Sequence, residues 1–382
     1  MNLPAVVLIV TEDCNFRCKY CYQAKRKNYM TWHTAKQTLD FFLPRLKKDY
    51  GLTFTGGEPL LALDLLKKAV SYLESKNREQ AKSPTYAVVT NGSLIDDSSL
   101  DFFNRYGFTI ALSFDGYGQN SARKKNSFNK TAAVIKKALQ LENITLNVNS
   151  TFSTATVANI CRSMEFIMEL GVKQVSLSLD LAGRWNRPSL EKLAAEIANL
   201  EALCLEYYKK NGTIPVTLFR ERSNEGGIWR CAAGINQLTV TPGGHIWGCP
   251  CFFEYFKERV APAARDVTNR YSSQKKPSQE NKFLAHNNLE ESDKYYFGRL
   301  EDFAKNYKKT YRRILANYSP FRMDNYYTAN SRCFLCPLVE KCGVCPVLRA
   351  ESRRSLLYVQ PYICAIKKIL INARDRFQAE RL

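Results

Sequence analysis

Three cysteines, Cys14, Cys18 and Cys21, crowd into eight residues near the head of the chain, and eight more fall between Cys231 and Cys364. Nothing else in the sequence constrains the fold as tightly. Thirteen cysteines in all is an odd number for a disulfide framework. Clustered thiolates instead imply metal or iron–sulfur ligation. The remaining two, Cys161 and Cys204, are isolated and read as small buried apolar side chains. No apolar run approaches the ~20 residues of a membrane span. The first apolar run, Ala5 to Val10, has no basic segment before it and ends in Thr11-Glu12-Asp13, so it reads as a strand rather than a signal peptide. A cytoplasmic location is expected, where disulfides are rare.

From Ala5 to about Leu181 short apolar runs alternate with amphipathic stretches. Val6–Val10, Leu52–Thr55, Tyr86–Thr90, Thr109–Phe114, Thr145–Val148 and Gln174–Leu179 read as strands. Thr31–Asp49, Leu61–Asn77, Ser98–Arg105, Thr131–Leu141 and Thr156–Leu170 read as the intervening helices. Six such units imply an α/β fold, a parallel sheet covered by helices and closed fully or partly as a barrel. Functional residues then gather at the C-terminal ends of strands. A helical stretch from Ser189 to Lys210 leads into a second region. There Gln237–Thr241 and His245–Gly248, around Pro242-Gly243-Gly244, make a hairpin. Domains are expected at 1–210 and 211–382, with a polar insertion at about 257–330. Within it Ala264–Asp293 reads as a mobile loop and Lys294–Tyr318 as helical.

The C-x3-C-x2-C loop follows the first strand directly, so one short segment presents three thiolates to three irons of a [4Fe–4S] cluster. One iron is left for an external chelator. A zinc knuckle would more naturally supply four ligands in two close pairs. With Tyr20 before its last cysteine, this loop resembles that of the radical S-adenosylmethionine (SAM) superfamily. Gly56-Gly57-Glu58-Pro59, at the second strand end about 35 residues after the cysteine loop, is similar to the same family's GGE motif. The resemblance implies that Gly56, Gly57 and Glu58 hold the SAM amino group. Asn91 ends the third strand. Ser113 and Asp115 end the fourth and would meet the SAM ribose. Asn147 and Asn149 lie on one face of the fifth by period two and would line the pocket, and Arg123 is a candidate for the SAM carboxylate. Catalysis through Cys14, Cys18 and Cys21 would reductively cleave SAM and abstract hydrogen with the 5′-deoxyadenosyl radical.

Cys231 and Cys249 stand in a C-x12-G-x4-C pattern. Cys333, Cys336, Cys342 and Cys345 follow as C-x2-C-x5-C-x2-C, with Cys364 eighteen residues later. The set resembles the SPASM domain, a small α+β cysteine-rich module that binds auxiliary clusters, although the family spacing before Cys345 is x3. The fold class implied is thus a partial (β/α)6 radical SAM barrel followed by a SPASM domain. Carried over, Cys333, Cys336, Cys342 and Cys364 would make one auxiliary [4Fe–4S] cluster. Cys231, Cys249 and Cys345 would hold another, with Cys251 or an open site as fourth ligand.

The resemblance implies an oxidoreductase, a peptide maturase that forms a carbon–carbon cyclophane or thioether crosslink in a ribosomally made (RiPP) precursor peptide. Its partners would include an external electron donor such as flavodoxin or ferredoxin. The first strand starts at Ala5, leaving no room before it for a leader-binding domain; a separate leader-binding protein is a candidate partner, and no membrane partner is implied. Sulfatase-type formylglycine formation is the nearest alternative. Relatives with that chemistry place Asp after the second SPASM cysteine, where this chain has Pro250. The formal net charge of +20 suits an acidic peptide or a nucleic acid, but no RNA-binding motif is present.

Overall fold

The computed structural model describes residues 2–221, 231–260, 289–321, 331–347, 356 and 358–381. Nine strands form one sheet in the order β6-β5-β4-β3-β2-β1-β7-β8-β9. The first six are β1 (Leu3–Thr11), β2 (Leu46–Gly56), β3 (Ser83–Thr90), β4 (Thr109–Ser113), β5 (Thr145–Phe152) and β6 (Val175–Leu179). All neighbouring pairs among these six run parallel. This is the expected α/β architecture. The apolar run of β1 is buried almost throughout, as a central parallel strand must be when both faces are covered.

Helices cover the sheet. Trp32–Phe42 begins at Thr31, whose hydroxyl accepts from the Thr34 N–H, and Asp97–Arg105 begins with a capping box between Asp96 and Ser99. The first helix stops at Phe42, short of the expected Asp49. Pro44 has no N–H to continue the ladder, so a 3-10 turn at Leu43–Arg45 hands the chain to β2. Arg187–Asn211 starts with Asn186 as its cap and Pro188 in its first turn. It ends on Gly212 at φ 66°, the left-handed conformation that glycine adopts freely.

The C-terminal third continues the same sheet. β7 (Gln237–Val240) pairs parallel with β1, and β8 (His245–Trp247) returns antiparallel, which is the expected hairpin. β9 (Tyr296–Arg299) pairs with β8. It lies within a stretch that reads as helical in sequence. Gly298, at φ 103°, breaks the helical path there, and helices resume at Leu300–Lys305 and Tyr307–Tyr318. The expected mobile loop at Ala264–Asp293 falls largely outside the described residues, and its end, from Leu289, is helical. The last helix, Pro361–Glu380, packs on Arg187–Asn211. Glu201 there takes the Arg376 guanidinium at 3.0 and 2.5 Å, and the Tyr362 hydroxyl donates to the Leu181 carbonyl at 2.9 Å. Among the described residues no helix is long and apolar enough to cross a membrane.

Candidate functional site

The loop after β1 carries all three N-terminal cysteines and is held from four sides. Its start is tied to the end of β2: the Gly57 N–H donates to the Thr11 carbonyl at 2.9 Å, and the Glu58 N–H to that of Asp13 at 2.8 Å. A Cβ on Gly57 would lie 2.0 Å from the Asp13 oxygen and 3.0 Å from the Cys14 Cβ. Glycine is therefore a steric requirement of this approach. On the β3 side, Asn91 donates to the Asn15 side chain at 2.9 Å and toward the Cys14 sulfur at 3.9 Å. The Lys19 N–H donates to the Ala122 carbonyl at 2.8 Å.

Tyr20 makes the fourth attachment. Its hydroxyl donates to Asp115 at 2.5 Å. The same carboxylate holds Arg123 at 2.9 Å and accepts from the Thr151 N–H at 2.8 Å. Arg123 also donates to the Asn149 carbonyl and lies over the Tyr20 ring. The Asp115 side chain is 0% exposed and that of Arg123 8%, so this ion pair is sealed from water. Sequence reasoning places Asp115 at the SAM ribose. In the structure its carboxylate meets Tyr20, Arg123 and Thr151, contacts that hold the loop.

Glu58 is likewise held by its neighbours. It is fully buried and accepts from the Thr90 hydroxyl at 2.6 Å, the Asn91 N–H at 2.8 Å and the Leu60 N–H at 3.1 Å. Burial pushes its carboxyl pKa up, and these hydrogen bonds pull against that. It ties the ends of β2 and β3 together. Gly56 and Gly57 remain the surface that comes closest to the loop.

Two expected cofactor residues do meet. Ser113 and Asn149 are register partners on β4 and β5, both half-buried. Two residues back, Asn147 pairs with Ala111 and keeps a buried side-chain oxygen with no hydrogen-bond partner. These polar side chains suit a ligand bearing hydroxyl and amine groups. Three thiolates on one loop, a close glycine backbone and unspent polar groups at strand ends therefore fit a [4Fe–4S] cluster with SAM.

Cys14 is buried and Cys18 and Cys21 are half-buried. Burial raises the Cys14 thiol pKa, opposed first by the Phe16 N–H and then by Lys25. Cys18 is pushed up to about 11, again by burial, with Arg123 pulling it down. The Lys25 ammonium stands 3.1 Å from the Cys21 sulfur. Lys25 is not among the site residues that the sequence singles out. Its position four residues after Cys21 is the signal that could have found it.

The C-terminal cysteines fall into two groups. The Cys342 thiol is raised to about 11 by burial, with Lys367 lowering it and the nearby Cys364, Cys333 and Cys336 raising it. In the second group Cys251 hydrogen-bonds with both Cys249 and Cys345. The first contact raises its pKa, the second lowers it, and burial raises it further. Cys249 and Cys231 both bear on the buried Tyr318 hydroxyl, which accepts from the Gly248 N–H at 3.1 Å. Among the described residues no group of three or more His, Cys, Asp or Glu is arranged to hold a single metal ion. Cys204 is buried and Cys161 half-buried. Burial raises their thiols to about 12 and about 11, fitting the reading of inert packing residues.

The model of the radical SAM superfamily matches residues 8–167. The radical SAM cyclopropyl synthase TigE of Paramaledivibacter caminithermalis is 22% identical over 285 residues, 67% of this chain and 59% of that protein. The chain thus spans less than two thirds of the length of that relative. Among solved structures, anSMEcpe with bound AdoMet and Kp18Cys peptide is similar at a TM-score of 0.71 and 18% identity, over 99% of this chain and 98% of that one. Streptococcus suis SuiB bound to the precursor peptide SuiA has a TM-score of 0.58 at 14% identity, over 95% and 76%. At these identities the likeness is one of fold, and it runs through the cysteine-rich third.

Proposed function

We propose that this chain, whose residues 8–167 match the model of the radical SAM superfamily, is a peptide maturase that crosslinks a ribosomally made precursor. The observation that carries this reading is the pair of cysteine foursomes behind the catalytic loop, Cys333/Cys336/Cys342/Cys364 and Cys231/Cys249/Cys251/Cys345. Each is suited to an auxiliary [4Fe–4S] cluster. Removing two hydrogens from a peptide demands a place for a second electron, and a catalytic loop alone has none. Peptide as the substrate class is supported by the similar folds of anSMEcpe and SuiB, which have been solved with peptides. The TigE relative is described as a cyclopropyl synthase.

When bound, the clusters and SAM would supply one-electron chemistry, namely a hydrogen-abstracting radical and a place for the surplus electron. The protein's own part is positional. Cys14, Cys18 and Cys21 would hold the catalytic cluster beside SAM. Tyr20, Asp115 and Arg123 fix the loop, and Ser113 and Asn149 offer hydrogen bonds at the ribose. Cys251, which touches Cys249 and Cys345, would complete the second foursome. The domain division at about 210 and an acidic peptide segment drawn by the +20 charge belong to the same reading, as do an external flavodoxin or ferredoxin and a separate leader-binding protein.

The test is mass spectrometry of the genomically adjacent precursor peptide after anaerobic incubation with enzyme, SAM and reductant. Loss of two hydrogens per modified site is expected. Loss of sulfur with gain of oxygen at Cys would indicate formylglycine instead. A mass change in RNA but not in peptide would overturn the substrate class.

A further inference from the structure

Tyr22 follows Cys21, the last thiolate of the catalytic loop, yet its side chain reaches away from that loop. Its hydroxyl lies 3.9 Å from the Cys251 sulfur, 229 residues away in sequence. Cys251 in turn touches Cys249 and Cys345, and Glu254, one turn further along the helix Pro250–Val260, also acts on Tyr22. One side chain therefore joins the two cysteine sites. From Cys21 to Cys251 the path consists of one peptide link, one tyrosine and a single sulfur contact.

The chemistry of that contact depends on the state of the sulfur. A thiol donates weakly, whereas a metal-bound thiolate can only accept, and the phenol is then the donor in reach. A hydrogen bond to a cluster sulfur steadies the extra negative charge of the reduced form and so raises the reduction potential. Such outer contacts tune metal sites as strongly as many ligands do. We propose that Tyr22 donates its phenolic hydrogen to the Cys251 thiolate, setting the potential of that auxiliary cluster and anchoring it to the catalytic loop. This rests on the reading of Cys251 as a cluster ligand. Tyr22 is a positioning and tuning residue, since it touches neither SAM nor the peptide in this role.

The experiment compares anaerobically reconstituted full-length wild type with Tyr22→Phe, which keeps the ring and loses only the hydroxyl. Iron content is measured first, then each cluster is titrated with reductant under electron paramagnetic resonance. The catalytic cluster is recognised by its response to SAM. Tyr22→Phe is expected to keep its iron while one auxiliary couple moves down. At fixed potential its reduced fraction should fall about tenfold, equivalent to about 59 mV for a one-electron couple. The catalytic couple should stay within about twofold. Full iron with unchanged auxiliary couples overturns the assignment. Should Tyr22→Phe fail to load, 3-fluorotyrosine at position 22 replaces it. As a stronger donor it should move the same couple upward, and no movement overturns the assignment. Wild type that holds only about four irons overturns the C-terminal reading itself, and the Tyr22 assignment with it.

Discussion

Replacing Asp115 by Asn removes one charge from a sealed ion pair and little else. Asparagine keeps the shape and can still accept from the Thr151 N–H, and the Tyr20 hydroxyl can turn to accept from the new amide. Arg123, with its side chain 8% exposed, keeps its charge but loses its counter-ion at 2.9 Å. Leaving one partner of a buried pair uncompensated costs about 3–5 kcal/mol, a large share of the ~5–15 kcal/mol that holds a domain together. At ~2 °C per kcal/mol, the low end for larger domains, the melting temperature should drop by about 6–10 °C. Anaerobic circular dichroism melts at one fixed scan rate measure this. Asp115→Asn combined with Arg123→Met should recover much of the loss, because an apolar side chain needs no counter-charge. A melting temperature within ~2 °C of wild type for the single variant, or a double variant no better than the single, would refute the argument.

Joint replacement of Cys14, Cys18 and Cys21 by Ala should lower iron content by about four atoms and abolish 5′-deoxyadenosine formation, leaving auxiliary iron in place; chromatography and iron assay check both. Gly57→Ala should likewise cost the catalytic cluster, since its Cβ would fall 2.0 Å from the Asp13 oxygen, and the loss should appear in the SAM-responsive resonance signal alone. His245, hydrogen-bonded to Tyr296 at 2.7 Å, has its pKa lowered below 6.5, first by burial and then by Arg299. Below pH 6.5 the unfolded chain takes up a proton that the folded chain refuses, so stability falls as pH drops through that window. Urea midpoints at about pH 5.5 and about pH 7.5 should therefore differ more for wild type than for His245→Gln. Equal differences would remove His245 from the account.

The parallel strands could be read in sequence because each is a buried apolar run closed by a residue with turn chemistry, as Val6–Val10 is by Thr11-Glu12-Asp13. β9 could not. Tyr-Phe-Gly-Arg offers no apolar run, and its partner His245–Trp247 lies about fifty residues upstream. The same distance problem governs the site. Cysteine spacing located the thiolates because ligands within one loop are near neighbours. Asp115 carries an ordinary Asp-Gly turn signal, and nothing local announces a tyrosine 95 residues away. Glu58 was readable as a carboxylate at a strand end, but its spending on Thr90 and Asn91 follows only from the packing of β2 beside β3. The x2 spacing before Cys345 departs from the SPASM pattern, yet Cys345 still reaches Cys251.

The pairing of β7 with β1 also has a consequence in time. Ala5 meets Gln237, so β1, once it leaves the ribosome, waits for a partner more than two hundred residues behind it. At ~5–20 residues per second that wait is roughly 10–50 s. Through it one edge of β1 stays open, in a strand whose apolar sequence would pair readily with another chain. Non-local pairing of this kind is slow to form even once all residues are present. The chain therefore needs protection during synthesis, and a fragment ending before Gln237 would keep that edge bare for good.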